Sequence, residues 1–154
     1  MDQLTLLYTL KEGVRWSDGE PVKANDVQFA YQVAKALESS RFTKVVDRIL
    51  TYESLDERRV RVTLLPGLLT ADYAQFFFSP LPEHTLKVYP ISDLPEIDAA
   101  TKMPMGWGAF QIKAWQQGQS ITLEKNPYYF RNAEGYPALD EVEVRFLPLG
   151  ISLP

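Results

Sequence analysis

Three carboxylates near the N-terminus have the chemistry of an acid–base pair. Asp18, Glu20 and Asp26 all fall in the segment KEGVRWSDGEPVKANDVQFAY, residues 11–31. General acid–base catalysis needs two carboxyl groups whose surroundings separate their pKa values, usually in a cleft. Asp18 stands in a Ser-Asp-Gly triplet, which is typical of a turn, and Asp26 lies where a helix begins and its dipole favours an anion. These structural roles account for both residues, so we expect no catalytic residue here.

The single histidine, His84, is a second candidate for chemistry. A metal site could combine His84 with Glu83 and with Asp72 or Asp93, but their spacing matches no known ligand motif. The chain has no cysteine, which excludes disulfides and thiolate metal sites. No serine lies in a G-x-S-x-G context, and no glycine-rich segment has the spacing of a phosphate-binding loop. We therefore expect no metal site and no cofactor.

The aromatic residues, 12% of the chain, are more informative. Phe76, Phe77 and Phe78 are consecutive, and three consecutive side chains cannot all face one core from a regular strand or helix. At least one of them should therefore meet solvent, a ligand or another domain. A core residue with an exposed neighbour is the simpler interpretation, and a wall of a ligand site is the alternative.

Composition narrows the class of protein further. The chain has 154 residues, of which 45% are hydrophobic and 23% charged, as expected for one folded domain with a real core. The net charge of −4 and the lack of a basic run longer than Arg58-Arg59 argue against nucleic-acid binding. The apolar stretches are too short to span a bilayer. Residues 1–3 lead straight into a strand pattern, so we expect no signal peptide at this start.

The hydrophobic pattern predicts an α+β fold with a mostly antiparallel sheet, one main helix and short helical turns. Apolar residues recur at helical spacing over residues 24–38, and residues 83–86 indicate a further helical turn. A segment at 69–78 has the pattern of a short helix that leads into the aromatic run. Alternation predicts strands at residues 4–10, 49–54, 59–65, 109–115, 121–125 and 141–146.

Taken in order, these motifs resemble one bacterial family. The run YTLKEGVRWSDGEPVKANDVQFAY, followed by GWGAFQIKAWQQGQSITLEKNPYYF and ALDEVEVRFLP, resembles the extracellular solute-binding proteins of family 5. These are the oligopeptide-, dipeptide- and nickel-binding receptors of ABC importers. The resemblance covers nearly the whole chain. Trp107 and Ala109 stand where the family usually has Thr and Pro, and Phe130 stands where Trp is usual.

The resemblance implies a piece of a two-lobed receptor with a fold like that of type II periplasmic binding proteins. Residues 1–154 would form a single domain, with residues 11–105 as the inserted small domain of the first lobe. Residues 4–10 and 106–147 would be strands that lead into the parent lobe. The parent would begin with a signal peptide and act outside the cytoplasm, in the periplasm or anchored at the cell surface.

The same resemblance implies a non-catalytic function. Such a receptor binds a peptide or similar small solute between two lobes and delivers it to an ABC permease, and it does not itself span the membrane. This chain would supply scaffold and one wall of the cleft. The residues implied for the wall are Arg41, Phe42, Phe77 and Phe78, of which Phe77 and Phe78 should form an exposed apolar patch. The residues implied for structural turns and a hinge are Trp16, Asp18, Gly19, Asp26, Gly106 and Gly108.

Two other classes of protein remain open. A glycan-binding β module or glycoside hydrolase fragment would use Trp16, Trp107 and Trp115 as sugar platforms, and it predicts exposed, coplanar tryptophans on one sheet face. A receptor predicts tryptophans packed in a core or at a domain boundary. The second alternative is a protein-interaction domain, whose partner would cover an exposed surface.

Overall fold

The computed structural model of the protein describes residues 2–38 and 42–147. The chain divides into two compact units. The first takes its described residues from 1–12 and 22–94, and the second from 13–21 and 95–154. Both units combine an antiparallel sheet with short helices, so the predicted α+β class is confirmed. The division into residues 11–105 and two flanking strand segments concerns the parent lobe and stays a prediction.

The first unit is built on a three-stranded antiparallel sheet in the order β1-β3-β2. Its elements are β1 (Thr5–Thr9), α1 (Ala24–Ala36), α2 (Thr43–Val46), β2 (Ile49–Ser54), β3 (Arg59–Leu64) and α3 (Glu83–Leu86). A 3-10 turn at Ala74–Phe76 precedes α3, and a 3-10 segment at Ile91–Glu96 follows it. The helix predicted at residues 69–78 is therefore only one turn long. Phe77 already has an extended backbone, which allows successive phenylalanines to point in opposite directions.

The core of the first unit lies between the sheet and α1. Val60, Val62 and Leu64 alternate along β3 and have no exposed surface, as the pattern predicted. On β1, Leu6 is buried whereas its neighbour Leu7 is 58% exposed. The other core residues come mainly from α1 and the aromatic run: Ala24, Val27, Ala30, Tyr31, Ile49, Tyr52, Phe76 and Phe78. Full burial of one such side chain contributes about 1.5–3 kcal/mol, so this face holds the unit together.

Helix α1 ends two residues before the predicted limit, and the backbone gives the reason. The residue at the predicted end, Glu38, has φ of +44°, in the left-handed region that helices do not adopt. The N–H groups of Leu37 and Glu38 still donate to carbonyls of the last turn. A non-glycine residue with this backbone conformation is uncommon, so the residue types predicted the helix end two residues too late.

The second unit contains another three-stranded antiparallel sheet, in the order β4-β5-β6. Its elements are α4 (Asp98–Thr101), β4 (Phe110–Gln116), β5 (Ser120–Lys125), β6 (Glu141–Arg145) and a 3-10 turn at Asn132–Glu134. The hairpin between β4 and β5 turns at Gly118, whose φ of +74° suits glycine.

A bulge in β4 decides which side chains share a face of this sheet. The pairing with β5 shifts between Ile112 and Ala114, so Lys113 is the additional residue. Ile112 is paired with Leu123, and Trp115 with Ile121. Directly paired residues project to the same side of a sheet, and side chains two apart on one strand share a face. The bulge therefore brings Trp115, rather than Ala114, to the face that carries Ile112.

Candidate functional site

The first unit carries a cluster of aromatic rings, which we call the aromatic cluster: Tyr8, Tyr31, Phe42, Tyr52, Phe77 and Phe78. Tyr31 and Tyr52 are stacked with ring centroids 4.4 Å apart. Phe78 meets both tyrosines edge to face, at 5.6 and 5.7 Å. Such pairs contribute about 0.5–1.5 kcal/mol each beyond their burial, so the cluster is a stable platform.

The predicted exposure of Phe78 is wrong. Phe78 is 5% exposed, because it fills the space beside Tyr31 and Tyr52, and its N–H donates to the Tyr52 hydroxyl at 3.3 Å. Phe42 packs on the same ring, with centroids 5.5 Å apart. Phe78 therefore supports Phe42 from behind, and its place in the cleft wall stays a prediction.

Phe42 and Phe77 are half-buried, so each keeps surface for a contact. Phe77 packs on Tyr8 with ring centroids 5.3 Å apart, while its neighbour Phe76 is fully buried. The run of three phenylalanines thus leaves one partly open side chain, as its sequence required. Arg41 lies outside the described residues.

Tyr8 and Tyr52, which pack on Phe77 and Phe78, stay in their neutral form. Burial, with a smaller contribution from the charge of Asp72, raises the pKa of Tyr8 to about 12, and the Tyr8 hydroxyl donates to the Tyr73 carbonyl. Burial also raises the pKa of Tyr52 well above its ordinary value. Near neutral pH these phenols are therefore hydrogen-bonding groups and not sources of charge.

Asp26 connects the start of α1 to the loop before α3. Asp26 is only 4% exposed, and its carboxylate accepts the backbone N–H of Lys23 at 2.8 Å and that of Glu83 at 3.0 Å. The Asp26 carbonyl also accepts the N–H of Leu81 at 3.1 Å. The local contact with Lys23 follows from the position of Asp26 at the helix start, whereas the contacts with residues 81 and 83 could not be read from the sequence.

In the second unit, residues 13–21 form a tight loop. The N–H of Glu20 donates to the Asp18 carboxylate at 3.0 Å, and the N–H of Gly19 donates to the Trp16 carbonyl at 2.9 Å. Gly19 has φ of +93°, and a Cβ there would lie 3.0 Å from the Tyr128 ring. Gly19 therefore cannot be replaced without strain.

Gly106 and Gly108 also lie in the second unit, where the backbone carbonyls of both residues accept hydrogen bonds. The Gly106 carbonyl accepts the N–H of Ser17 at 2.8 Å, and the Gly108 carbonyl accepts the side-chain amide of Asn126 at 2.9 Å. Asn126 is 1% exposed, and its side-chain oxygen also accepts the N–H of Tyr128. Asn126 was missed from the sequence, although an asparagine that precedes a proline is a recognisable turn signal.

The charged residues at the β2–β3 hairpin form ion pairs. An open cleft of about 350 Å³ at the β2–β3 hairpin is lined by Thr9, Asp56, Glu57, Arg58 and Arg59. Within it, Arg58 donates to Glu12 and to the Leu10 carbonyl, and Arg59 donates to Asp56. The backbone N–H of Arg58, above all, lowers the pKa of Asp56. These self-paired charges offer little to a ligand.

Among residues 2–38 and 42–147, no group of histidine, aspartate and glutamate side chains is placed to hold a metal ion. Asp18 and Asp26, two of the three carboxylates considered in the N-terminal segment, both accept backbone N–H groups. Within the same residues, no helix has the length and apolar character needed to cross a bilayer.

The sequence model of the bacterial extracellular solute-binding proteins, family 5 (middle region), matches residues 1–149. The chain belongs to this family. The oligopeptide-binding protein AppA of Bacillus subtilis is 36% identical to this family 5 chain over 147 aligned positions, and the match covers 90% of the chain and 25% of AppA. The chain thus spans about a quarter of the length of the curated relatives that it matches.

Solved structures agree with this membership. AppA of B. subtilis in complex with a nonapeptide has a TM-score of 0.77 and 31% identity, over 94% of this chain and 28% of AppA. MoaA of A. tumefaciens R10 in complex with mannopinic acid has a TM-score of 0.67 and 31% identity, over 94% of this chain and 28% of MoaA. The resemblance found in the sequence motifs is therefore confirmed.

Proposed function

We propose that this chain is part of the substrate-binding receptor of an ABC importer for peptides or similar small solutes. It supplies scaffold and one wall of the solute cleft and carries out no catalysis. The observation that carries the proposal is the 36% identity to an oligopeptide-binding protein over 147 residues, together with the shared fold of its nonapeptide complex.

The wall of the cleft is formed by Phe42 and Phe77, with Arg41 next to Phe42 in the sequence and Phe78 packed behind Phe42. Solute sites are mostly apolar surfaces with a few polar groups that fix orientation. Half-buried phenylalanine rings on a packed aromatic platform fit this description, because their backing is rigid while one side stays open. Peptide side chains would pack on these rings.

Trp16, Asp18, Gly19 and Asp26 act as structural turns, and Gly106 and Gly108 act as a hinge in the parent receptor. Hydrogen bonds within the loop of residues 13–21, and from that loop to Gly106, support the turn role. The parent receptor acts outside the cytoplasm, in the periplasm or at the cell surface, and delivers its solute to an ABC permease. Its signal peptide precedes the region equivalent to this chain.

The solute class extends beyond peptides if this chain resembles MoaA, rather than AppA, in the solute that its parent receptor binds. MoaA is 31% identical to this chain and was solved with mannopinic acid, a small polar solute. AppA has the same identity in its nonapeptide complex. A binding screen should therefore contain a nonapeptide and mannopinic acid side by side.

A glycan-binding module is not favoured. That alternative requires Trp16, Trp107 and Trp115 to be exposed together on one sheet face. Trp16 is only 1% exposed, and Trp107 precedes β4 instead of lying on a strand. Trp115 is the one tryptophan of the three on a strand, where it is 37% exposed.

A chimera tests the proposed function. The matching quarter of B. subtilis AppA is replaced by this chain, and nonapeptide and mannopinic acid binding are measured by calorimetry. We expect binding by the chimera, and for the 154-residue chain alone roughly millimolar affinity or weaker, near −4 kcal/mol, because the opposite wall is missing. Micromolar binding by the chain alone, or a folded chimera that binds neither solute, would refute the proposal.

Variants of the chimera test the wall residues. Phe42→Ala and Phe77→Ala should each weaken solute binding, since both rings keep an open side. Leu7→Ala is the matched control, because Leu7 is an exposed apolar side chain on β1 whose neighbour Leu6, not Leu7, enters the core. Equal affinities for all three variants would exclude this wall.

A further inference from the structure

A cavity of about 390 Å³ lies between the last turn of α1 and the short helix α2 in the first unit. We call it the helix-end cavity, and its lining residues are Ala34, Lys35, Glu38, Thr43, Val46 and Asp47. Ala34 and Val46 are half-buried apolar side chains that also pack against the core. Ligand sites usually measure about 300–1,000 Å³, so this cavity has room for one side chain of a ligand rather than for a whole peptide.

The charged residues of the helix-end cavity are not paired with one another. Within the described part of the chain, no ion pair includes Lys35, Glu38 or Asp47, and no hydrogen bond occupies either of these carboxylates. The cleft at the β2–β3 hairpin has a similar volume, about 350 Å³, but Arg59 there is paired with Asp56 at 2.6 Å. Of these two cavities, the helix-end cavity is therefore the one whose carboxylates are left for a ligand.

The charges around the helix-end cavity favour a cation. Glu38 and Asp47 are exposed carboxylates, and the cavity also lies at the C-terminal end of α1, a helix of 13 residues whose dipole places partial negative charge there. The cationic residue of the lining, Lys35, has its ammonium group 6.0 Å from the centre of the Tyr31 ring, which belongs to the aromatic cluster. The lining thus carries two carboxylates and one ammonium group, which leaves an excess of negative charge.

The helix-end cavity adjoins the proposed wall of the cleft. The Phe42 carbonyl accepts the N–H of Val46, a lining residue, at 2.9 Å. We propose that the cavity receives the basic side chain of a peptide solute whose neighbouring residue packs on Phe42. Glu38 and Asp47 hold its guanidinium or ammonium group, and the apolar part of the lining contacts its aliphatic stem. This proposal rests on the proposed function and narrows the solute class to peptides that contain arginine or lysine.

Nuclear magnetic resonance on the 154-residue chain tests the cavity without the rest of a receptor. The probes are Nα-acetyl-arginine amide and its citrulline analogue, which has nearly the same shape but no charge. The arginine probe should shift the backbone amide signals of Thr43 and Asp47 at millimolar concentration, and the citrulline probe should not. Glu38→Gln and Asp47→Asn should each weaken this response about threefold. Glu57→Gln is the matched control, because it removes a carboxylate from the β2–β3 hairpin cleft instead.

The AppA chimera tests whether the helix-end cavity belongs to the solute site. Calorimetry compares nonapeptides that differ only by arginine or citrulline at one position, and that position is varied along the peptide. At one position or more, the arginine peptide should bind about five- to tenfold more tightly than the citrulline peptide. Glu38→Gln and Asp47→Asn should each reduce this preference, and Glu57→Gln should leave it intact.

The outcomes separate this inference from the proposed function. If the isolated chain responded equally to both probes, or if Glu38→Gln and Asp47→Asn left its response unchanged, the proposal would be overturned. A chimera that binds nonapeptides, but without an arginine preference that these two variants reduce, would also overturn it and would leave the proposed function standing. A chimera that binds neither nonapeptide nor mannopinic acid, while the isolated chain still distinguishes the two probes, refutes the proposed function and supports the cation site.

Discussion

Replacing Asp26 by alanine should strongly destabilise the first unit. Asp26 is 4% exposed, and its carboxylate accepts backbone N–H groups of Lys23 at 2.8 Å and Glu83 at 3.0 Å. Removing a helix-capping acceptor costs about 1 kcal/mol, and a buried N–H without an acceptor costs about 1–3 kcal/mol. Asp26→Ala should therefore lower the free energy of unfolding by roughly 2–4 kcal/mol.

Urea unfolding followed by circular dichroism measures this loss. Asp26→Asn keeps one acceptor oxygen and should lose less, about 1–2 kcal/mol. Glu57→Ala is the control, because Glu57 forms an ion pair with Lys23 at 3.4 Å but its side chain is 80% exposed. Such a surface pair contributes about 0–1 kcal/mol.

Two results would refute this account of Asp26. If Asp26→Ala lost no more stability than Glu57→Ala, the two backbone contacts would not hold α1 to the loop before α3. If the free energy of unfolding were unchanged while the AppA chimera lost solute affinity, Asp26 would be a ligand-binding residue and not a structural one.

Three further predictions concern the loop of residues 13–21 and the aromatic cluster. Gly19→Ala should lower the free energy of unfolding, measured with urea, by about 1–3 kcal/mol, and by more than Gly118→Ala does. Both glycines have a positive φ, but only at Gly19 would the added Cβ lie 3.0 Å from a ring, that of Tyr128. Asp18→Asn should lower the free energy of unfolding by about 0.5–1.5 kcal/mol, since Asp18 accepts the N–H of Glu20, and it should leave the solute affinity of the chimera unchanged. A loss of affinity at constant melting temperature would contradict this. Because burial raises the pKa of Tyr8 from 10.0 to about 12, the unfolded state releases its proton first, so the contribution of Tyr8 to stability should be complete below pH 10 and fall as the pH rises to about 12. Tyr8→Phe should make that fall shallower in urea titrations at each pH, and an identical slope would show that Tyr8 is not buried.

Much of the secondary structure could be predicted because it depends on local patterns. The alternation of residues 59–65 requires one buried face, and Val60, Val62 and Leu64 occupy it. The spacing over residues 24–38 and the acid in the first turn place α1 correctly at its start. Its end depends on the positive φ of Glu38, and position 38 holds no glycine or asparagine that would have indicated this conformation.

The errors and omissions at the candidate site come from contacts between distant parts of the chain. Phe78 is buried because Tyr31 and Tyr52 stand beside it, and neither is near it in the sequence. The second carboxylate oxygen of Asp26 accepts the N–H of Glu83, which is also distant from it in the sequence. The shift at Lys113 that puts Trp115 on the same face as Ile112 depends on a partner strand, so the sequence of β4 alone could not reveal it.

Two carboxylates of the family signature, those of Asp18 and Asp26, accept backbone N–H groups, which gives both residues a structural role. Asp18 accepts from Glu20, and Asp26 accepts from Lys23 and Glu83. Each loop would otherwise leave N–H groups without partners, which is costly where water is excluded. The loop of residues 13–21 and the segment before α3 are therefore held in one shape by these hydrogen bonds.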